Sequence, residues 1–596
     1  MVKGAVMNEK YTPELFLSIS ETWNAILRSG NDIEEIRNDL INHVNMKHFT
    51  TYSGKSDQIH ELELIIIRDC ARSWRGILHA RSEKLAGFSV LSALVGAASG
   101  TPDPNLSEAF WAEICHLVRG VEGMFRINES VQFSFSEMEE LTGREAAQQR
   151  SSELDVIHDY ASGWMSRYPS GLDPEQVKAR DANMRRILPV ADNSRKWEDW
   201  HWQLRNIARD EKKLGSYTSL SDTEIENIKK VNSTGIPFGV TPYYASLFDV
   251  TGSVDDRAVR AQVIFPQSYI ESYESGGNED YMLERDTSPE DLITRRYPDI
   301  VILKPYNSCP QICVYCQRNW EIKSPLEKGA LASEKRINAA IEWIGAHKAI
   351  TEVLVTGGDP LVMADSLLEK IIGKLSRIEH VKRIRLGTRI PVTVPMRITE
   401  ELCDMLASFR DPGRREIAVI THIQNPLEVT PELVRAVERI KRRGISVYNQ
   451  LVFTFFISRR FEAAHLRSLI KLCGVDPYYS FYPKGKLETA DYRVPIARML
   501  QERKEESRLM PGLSRTDEPV YNVPGLGKNY LNAWQHRDLI SIKEDGSRVY
   551  EFHPWEKQIA ERKTYVGEDV PILDYLRRLE EWGESASDYE SIWYYF

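Results

Sequence analysis

Cys309-Pro310-Gln311-Ile312-Cys313-Val314-Tyr315-Cys316 sets three cysteines at CxxxCxxC spacing, just beyond the apolar run Ile300 to Leu303. That run reads as a buried strand emptying into a loop. Three thiolates on one short loop can each reach one iron of a cubane cluster, and the fourth iron then stays open for chemistry. A zinc knot is the competing reading. It would need a fourth protein ligand, and no nearby Cys or His offers one.

Outward from this loop, residues 296 to 484 alternate short apolar runs with amphipathic patterns. The runs predict strands at 300–306, 351–357, 381–387, 416–422, 446–453 and 477–482. Helical patterns fall between them at 333–347, 365–377, 399–409, 430–443 and 459–473. Strands joined by helices imply parallel pairing with right-handed crossovers. Too few units are present to close a barrel of about eight strands. The expected fold is therefore α/β, a partial (β/α)6 barrel open at one side. In such folds chemistry gathers at the C-terminal strand ends. The residues there are Cys309, Gly357-Gly358-Asp359, Arg389, His422, Gln450 and Lys484, all expected to face one cavity.

The flanking regions are less informative. Residues 1–190 read as a helical N-terminal extension of unassigned role, opened by Thr12-Pro13-Glu14, a cap followed by proline. Further helical patterns cover 57–86 and 105–126, and His60, Cys70, Cys115 and His116 are scattered through them as packing residues. The character changes near Arg195. Residues 191–295 are expected to pack on the barrel, which spans 296–510, and their aromatics (Trp197, Trp200, Trp202, Tyr243, Tyr244) read as core. Residues 511–596 carry the glycine turn Pro524-Gly525-Leu526-Gly527-Lys528, whose spacing is wrong for a phosphate-binding P-loop, and the aromatic tail Trp593-Tyr594-Tyr595-Phe596. The tail is expected to dock on the surface or on a neighbouring subunit. A net charge of -10 argues against nucleic acid or an anionic membrane as partner. Seven cysteines in 596 residues, three of them clustered, fit a reducing cytoplasm better than a disulfide framework.

Taken together these landmarks resemble the lysine 2,3-aminomutase family of radical S-adenosylmethionine enzymes, of which the CxxxCxxC loop is the superfamily signature. The likeness covers about residues 195–555. It is carried by Thr241-Pro242-Tyr243-Tyr244-Ala245-Ser246-Leu247, Arg296-Tyr297-Pro298-Asp299, the cysteine loop, Val355-Thr356-Gly357-Gly358-Asp359-Pro360, Thr421-His422, Tyr448-Asn449-Gln450 and the Pro524–Lys528 turn. The resemblance implies a 4Fe-4S cluster on Cys309, Cys313 and Cys316, with S-adenosylmethionine and pyridoxal 5'-phosphate acting beside it. It implies migration of an amino group between C2 and C3 of an amino acid, with reduced flavodoxin or ferredoxin as electron donor.

By position, Lys528 matches the Schiff-base lysine, Arg296 a contact to the cofactor phosphate, and Tyr297 an aromatic beside the cofactor ring. The family's second basic phosphate residue is Ile300 here. Gly357, Gly358, Asp359, His422 and Gln450 match the S-adenosylmethionine site, and Arg318 matches the partner of the substrate α-carboxylate. Lysine-acting members carry two aspartates where this chain has Lys484 and Asn522, the pair found in the family's glutamate 2,3-aminomutases. A side-chain carboxylate would be attracted by Lys484, whereas an ammonium would be repelled. The implied substrate is thus L-glutamate and the product β-glutamate. No cysteine follows Cys473, so the family's zinc link between subunits is not expected, and any homo-oligomer would form without it. Two other readings fit the same residues: this chemistry on another amino acid, and a non-catalytic cluster-binding regulatory barrel.

Overall fold

The central apolar runs become strands because β-branched and leucine side chains are covered on both faces, as parallel sheets require. Val301, Leu303, Val353, Val355, Ile384, Leu386, Ile417, Val419 and Val447 are all buried. In the computed structural model the sheet follows chain order: β1 (Ile293–Thr294), β2 (Ile300–Tyr306), β3 (Glu352–Gly357), β4 (Arg383–Gly387), β5 (Glu416–Thr421), β6 (Ser446–Val452), β7 (Asp476–Phe481), β8 (Glu518–Val523) and β9 (Gly527–Tyr530). Strands β2 to β8 are parallel, while β1 and β9 run antiparallel at the two ends. The end strands do not pair with each other, so the barrel is partial and open. The structure describes residues 9–30, 32–52, 61–125, 141–191, 196–252, 254–273, 275, 280–507, 509–555 and 559–596. His60, Arg195, and residues 57–60 and 126 of the predicted helical segments lie outside them.

Each strand from β2 to β7 is followed by a helix on the outside, giving six units. Pro431–Arg442 shows why these segments are helical. Thr430 accepts a hydrogen bond from the Leu433 amide at 3.1 Å, Pro431 takes the first position, and Leu433, Ala436, Val437 and Ile440 bury one stripe. Strand β8 adds a seventh parallel strand. Its sequence reads only as an apolar run before a glycine turn, and the turn proves to be the bend of the β8–β9 hairpin.

The N-terminal helices pack around Glu108–Glu122, which is buried on nearly every side. A second sheet, β10 (Arg537–Ile542), β11 (Arg548–Phe552) and β12 (Tyr565–Glu568), lies against them. The aromatic tail docks here within the same chain. Trp593 stacks on His116 at 4.3 Å between ring centres. Arg548 pairs with Glu113 at 3.0 Å and donates to the carbonyls of Trp593 and Tyr595. Among the described residues, no helix is long and apolar enough to cross a membrane.

Candidate active site

The cysteine loop is fixed where β2 and β3 end. A side chain at Gly358 would place its Cβ 2.1 Å from the Ser308 carbonyl oxygen, so only glycine permits the two backbones to touch. The Asp359 amide then donates to that carbonyl at 2.9 Å. The Asp359 carboxylate accepts from the Thr388 hydroxyl and the Arg389 amide, both at 2.7 Å, and so ties the loop to the end of β4. Burial pushes this carboxyl up to about 6. Its side chain is thus engaged by the fold. Further amides of the loop, Ile312 and Val314, donate to Gly239 and Gln262 of the 196–273 region.

Burial drives the Cys309 thiol well above its usual range, and Asp359, Cys316 and Cys313 add to the effect. Cys316 is pushed up to about 11, chiefly by burial, with Cys313 contributing. Crowded buried thiols of this kind are stabilised as thiolates by metal cations. Among the described residues no three His, Cys, Asp or Glu side chains converge on one ion-sized point. A cubane does not need that, because its three ligands bind three different irons. The donor set fits a cluster.

Behind the loop, Arg389 donates Nη1 to Cys313 Sγ at 2.8 Å and Nη2 to Glu428 Oε1 at 2.7 Å, and Tyr244 donates its hydroxyl to the same Glu428 oxygen at 2.7 Å. His422 Nδ1 lies 2.5 Å from the Gln450 carbonyl, which fixes the proton on Nδ1 and leaves Nε2 to accept from the Tyr315 hydroxyl at 2.8 Å. Burial, with Arg389 nearby, pulls His422 down to about 3, so the ring is neutral.

A second group lies on the Arg318 side of the loop. Arg318 is buried; its Nε donates to Glu284 at 3.0 Å and lies 3.4 Å from Glu321. Its terminal nitrogens make no hydrogen bond among the described residues, and neither does Lys484 Nζ. Burial pulls the Lys484 ammonium well below the usual lysine range; Glu284 opposes this, while Arg296, Arg318 and Lys486 add to it. By contrast, Lys486 is fully partnered by Glu488 and Asn319, each at 2.6 Å. Arg296 is likewise lowered by burial, against the pull of Glu284 and Glu561, and donates to the Met282 carbonyl. Arg318 is buried while Lys484 and Arg296 are half-buried, and together these cations outnumber the acids beside them, as at an empty carboxylate or phosphate site.

Lys528 sits on β9 directly opposite Asn522 on β8. The lysine reaches this register because Gly525, at φ +70°, bends the turn. Its Nζ lies 4.6 Å from the centre of the Tyr479 ring and 5.4 Å from that of Tyr297. An amine between two aromatic rings, with Arg296 beside Tyr297, fits a planar phosphorylated aldehyde cofactor. The structure therefore sets Arg318, Lys484 and Arg296 around Glu284, pairs Lys528 with Asn522 across the hairpin, and brings Tyr297 to Lys528 from ahead of β2. Cys313, Asp359, Arg389, His422 and the Gln450 backbone form the other half. The Gln450 side chain makes no hydrogen bond among the described residues.

The segment at residues 303–458 matches the model of the radical SAM superfamily. An uncharacterized KamA family protein of Methanocaldococcus jannaschii is 41% identical, aligned over 96% of this chain and 95% of its own length. The chain belongs to the KamA family. Glutamate 2,3-aminomutase of Clostridioides difficile is 33% identical over 73% of this chain and 97% of its own length. L-lysine 2,3-aminomutase of Acetoanaerobium sticklandii is also 33% identical, over 59% and 83%. KamA membership makes the chain a radical S-adenosylmethionine isomerase of the aminomutase type, and implies the iron–sulfur cluster and S-adenosylmethionine. The two aminomutases have the same percentage identity, over different shares of this chain, so identity does not choose between an acidic and a basic substrate.

Sequence reasoning missed Glu284, Glu428 and Gln262. Glu428 had a legible signal, since Asn425 and Glu428 form a capping box, but nothing in that pattern points to Arg389. Glu284 stands in an irregular turn and had none.

Proposed function

We propose that this protein is a pyridoxal phosphate-dependent glutamate 2,3-aminomutase, converting L-glutamate to β-glutamate. The observation that carries the reading is the set of donors without a hydrogen bond among the described residues on buried Arg318 and half-buried Lys484, two cations where a lysine-acting enzyme would need acids. Two carboxylates separated by a short carbon chain match two cations; an ammonium side chain would add a further positive charge to Arg296, Arg318, Lys484 and Lys486.

Cluster, S-adenosylmethionine and pyridoxal phosphate together would supply a hydrogen-abstracting radical and a delocalised partner for the migrating nitrogen. The chain supplies position and charge. Arg318 would orient the α-carboxylate through its terminal nitrogens, a contact with fixed planar geometry. Lys484 would hold the distal carboxylate, with the Asn522 amide donating beside it. Lys528 would carry pyridoxal phosphate between Tyr479 and Tyr297, with Arg296 on its phosphate. Neutral His422, held by Tyr315 and Gln450, would offer shape and a polar surface near S-adenosylmethionine without adding charge. A small reduced protein such as flavodoxin or ferredoxin would supply the electron, and the cytoplasm is the compartment that suits all these parts.

The test is anaerobic reconstitution with iron, sulfide, S-adenosylmethionine and pyridoxal phosphate, then incubation with glutamate, glutamine and lysine. β-Glutamate should form, with little product from the other two. Preferential formation of β-lysine would overturn the substrate reading.

A further inference from the structure

Glu284 is 4% exposed and lies among three cations, Arg318, Lys484 and Arg296. Burial works against its carboxylate, but those three outweigh it and keep it ionised. It grips Arg318 at one nitrogen only, Nε, at 3.0 Å. On the same edge Glu321 stands at 3.4 Å and is itself paired with Lys304 at 3.0 Å. Both acids therefore hold the side of the guanidinium, and its terminal edge is left to something else. Glu284 and Lys484 form no direct ion pair within hydrogen-bonding reach, and Glu284 is still the acid that chiefly favours that lysine's ammonium.

The backbone presents Glu284 at a cost. The preceding Leu283 has φ +55°, a left-handed conformation that leucine rarely adopts. Asp280 fixes the turn, its carbonyl accepting from the Leu283 amide at 2.9 Å and its carboxylate from the Arg285 amide at 2.8 Å. Arg296 closes it through the Met282 carbonyl. A strained turn locked at several points, delivering one acid into a cluster of cations, is a placed feature.

We propose that Glu284 is a positioning residue for dicarboxylate recognition: from its locked turn it fixes Arg318 by Nε so that the terminal nitrogens meet one carboxylate, and it is the acid set toward Lys484, the cation for the other. The proposal rests on the glutamate reading for its ligand, though not for its charge argument. The groups facing Lys484 are Glu284 from the strained turn, Arg296 before β2, Arg318 from the cysteine loop and Lys486 from its own loop, with the Tyr281 and Tyr521 hydroxyls over Gly485. Only Glu284 among them favours the ammonium.

Glu284→Gln keeps an acceptor for Arg318 and removes the charge. Two readouts are needed. Pulse labelling with acetic anhydride across a pH series, read by mass spectrometry on the Lys484 peptide, reports the lysine's own titration. Its midpoint should fall by about one pH unit or more in Glu284→Gln and stay near the parent in Glu284→Asp. In turnover, the KM for glutamate should rise about tenfold, with kcat little changed, and this loss should shrink as the pH is lowered. A merely structural role predicts instead an unchanged labelling midpoint and a loss equal at every pH, which would overturn the proposal. If the midpoint shifts as expected but the parent does not convert glutamate, the counter-charge role stands and the substrate reading falls.

Discussion

Replacing Lys484 with Met removes the charge while keeping most of the volume, and two effects of opposite sign should follow. In the empty protein Lys484 is a half-buried cation in the field of Arg296, Arg318 and Lys486, with Glu284 opposing them. Taking it away relieves repulsion and desolvation, so the substrate-free protein should be stabilised, by less than the ~1–4 kcal/mol of replacing a fully buried ion pair with apolar groups. In the substrate complex, the same change strands a buried carboxylate without its partner, a loss of about 3–5 kcal/mol. At about 1.4 kcal/mol per tenfold, that is roughly two to four orders of magnitude in kcat/KM for glutamate. The stability gain has its own pH signature. A lysine lowered on folding binds fewer protons folded than unfolded, so the parent's stability rises with pH between the lowered value and about 10.4. The excess stability of Lys484→Met should therefore be full below the lowered value, fall as the pH rises from there, and vanish above that limit. Differential scanning calorimetry of the substrate-free proteins, beside anaerobic assays with glutamate, measures both arms. A variant that melts below the parent at neutral pH, or that converts glutamate as well as the parent, would refute the placement of this charge.

Three further outcomes are expected. Lys528→Ala should lose the borohydride-trapped pyridoxal phosphate adduct on its peptide while iron content stays normal, because the lysine lies on the β8–β9 hairpin and the cysteines on the loop after β2. Gly358→Ala should prevent stable cluster assembly, read as iron and sulfide per chain, because its Cβ would lie 2.1 Å from the Ser308 oxygen and force the loop away. Glu113→Gln should leave Arg548 buried without its anion, at a cost of about 3–5 kcal/mol, and hydrogen exchange should show the 586–596 tail loosened while the barrel stays protected.

The barrel was legible because parallel strands are apolar on both faces and their helices are striped, so each element announces itself within a short window. Ile300–Tyr306 and Pro431–Arg442 are both of this kind. Strand β8 was less legible because its run, Pro519 to Val523, is broken by Tyr521 and Asn522, and half of its meaning lies in the hairpin partner that follows. The tail was harder still. Trp593 stacks on His116 and the Trp593 carbonyl is held by Arg548, contacts spanning the length of the chain that no local pattern encodes.

The site divides along the same line. Residues fixed by short spacing, the three cysteines and the Gly357-Gly358-Asp359 turn, stand at the strand ends where the alternation puts them. What spacing does not carry is charge balance. Lys484 and Asn522 would mark the substrate by departing from a pattern, and a departure says which charge is absent without saying what answers the one that remains. The answer, Glu284, comes from a turn ahead of the barrel, and its role exists only because folding brings Arg318, Arg296 and Lys484 around it. A buried group of like charges must be neutralised by a ligand or by the protein. Here Glu284, with Glu321 beside Arg318 and Glu561 toward Arg296, offsets part of the charge, and the donors left over on Arg318 and Lys484 are the ones a dicarboxylate would occupy.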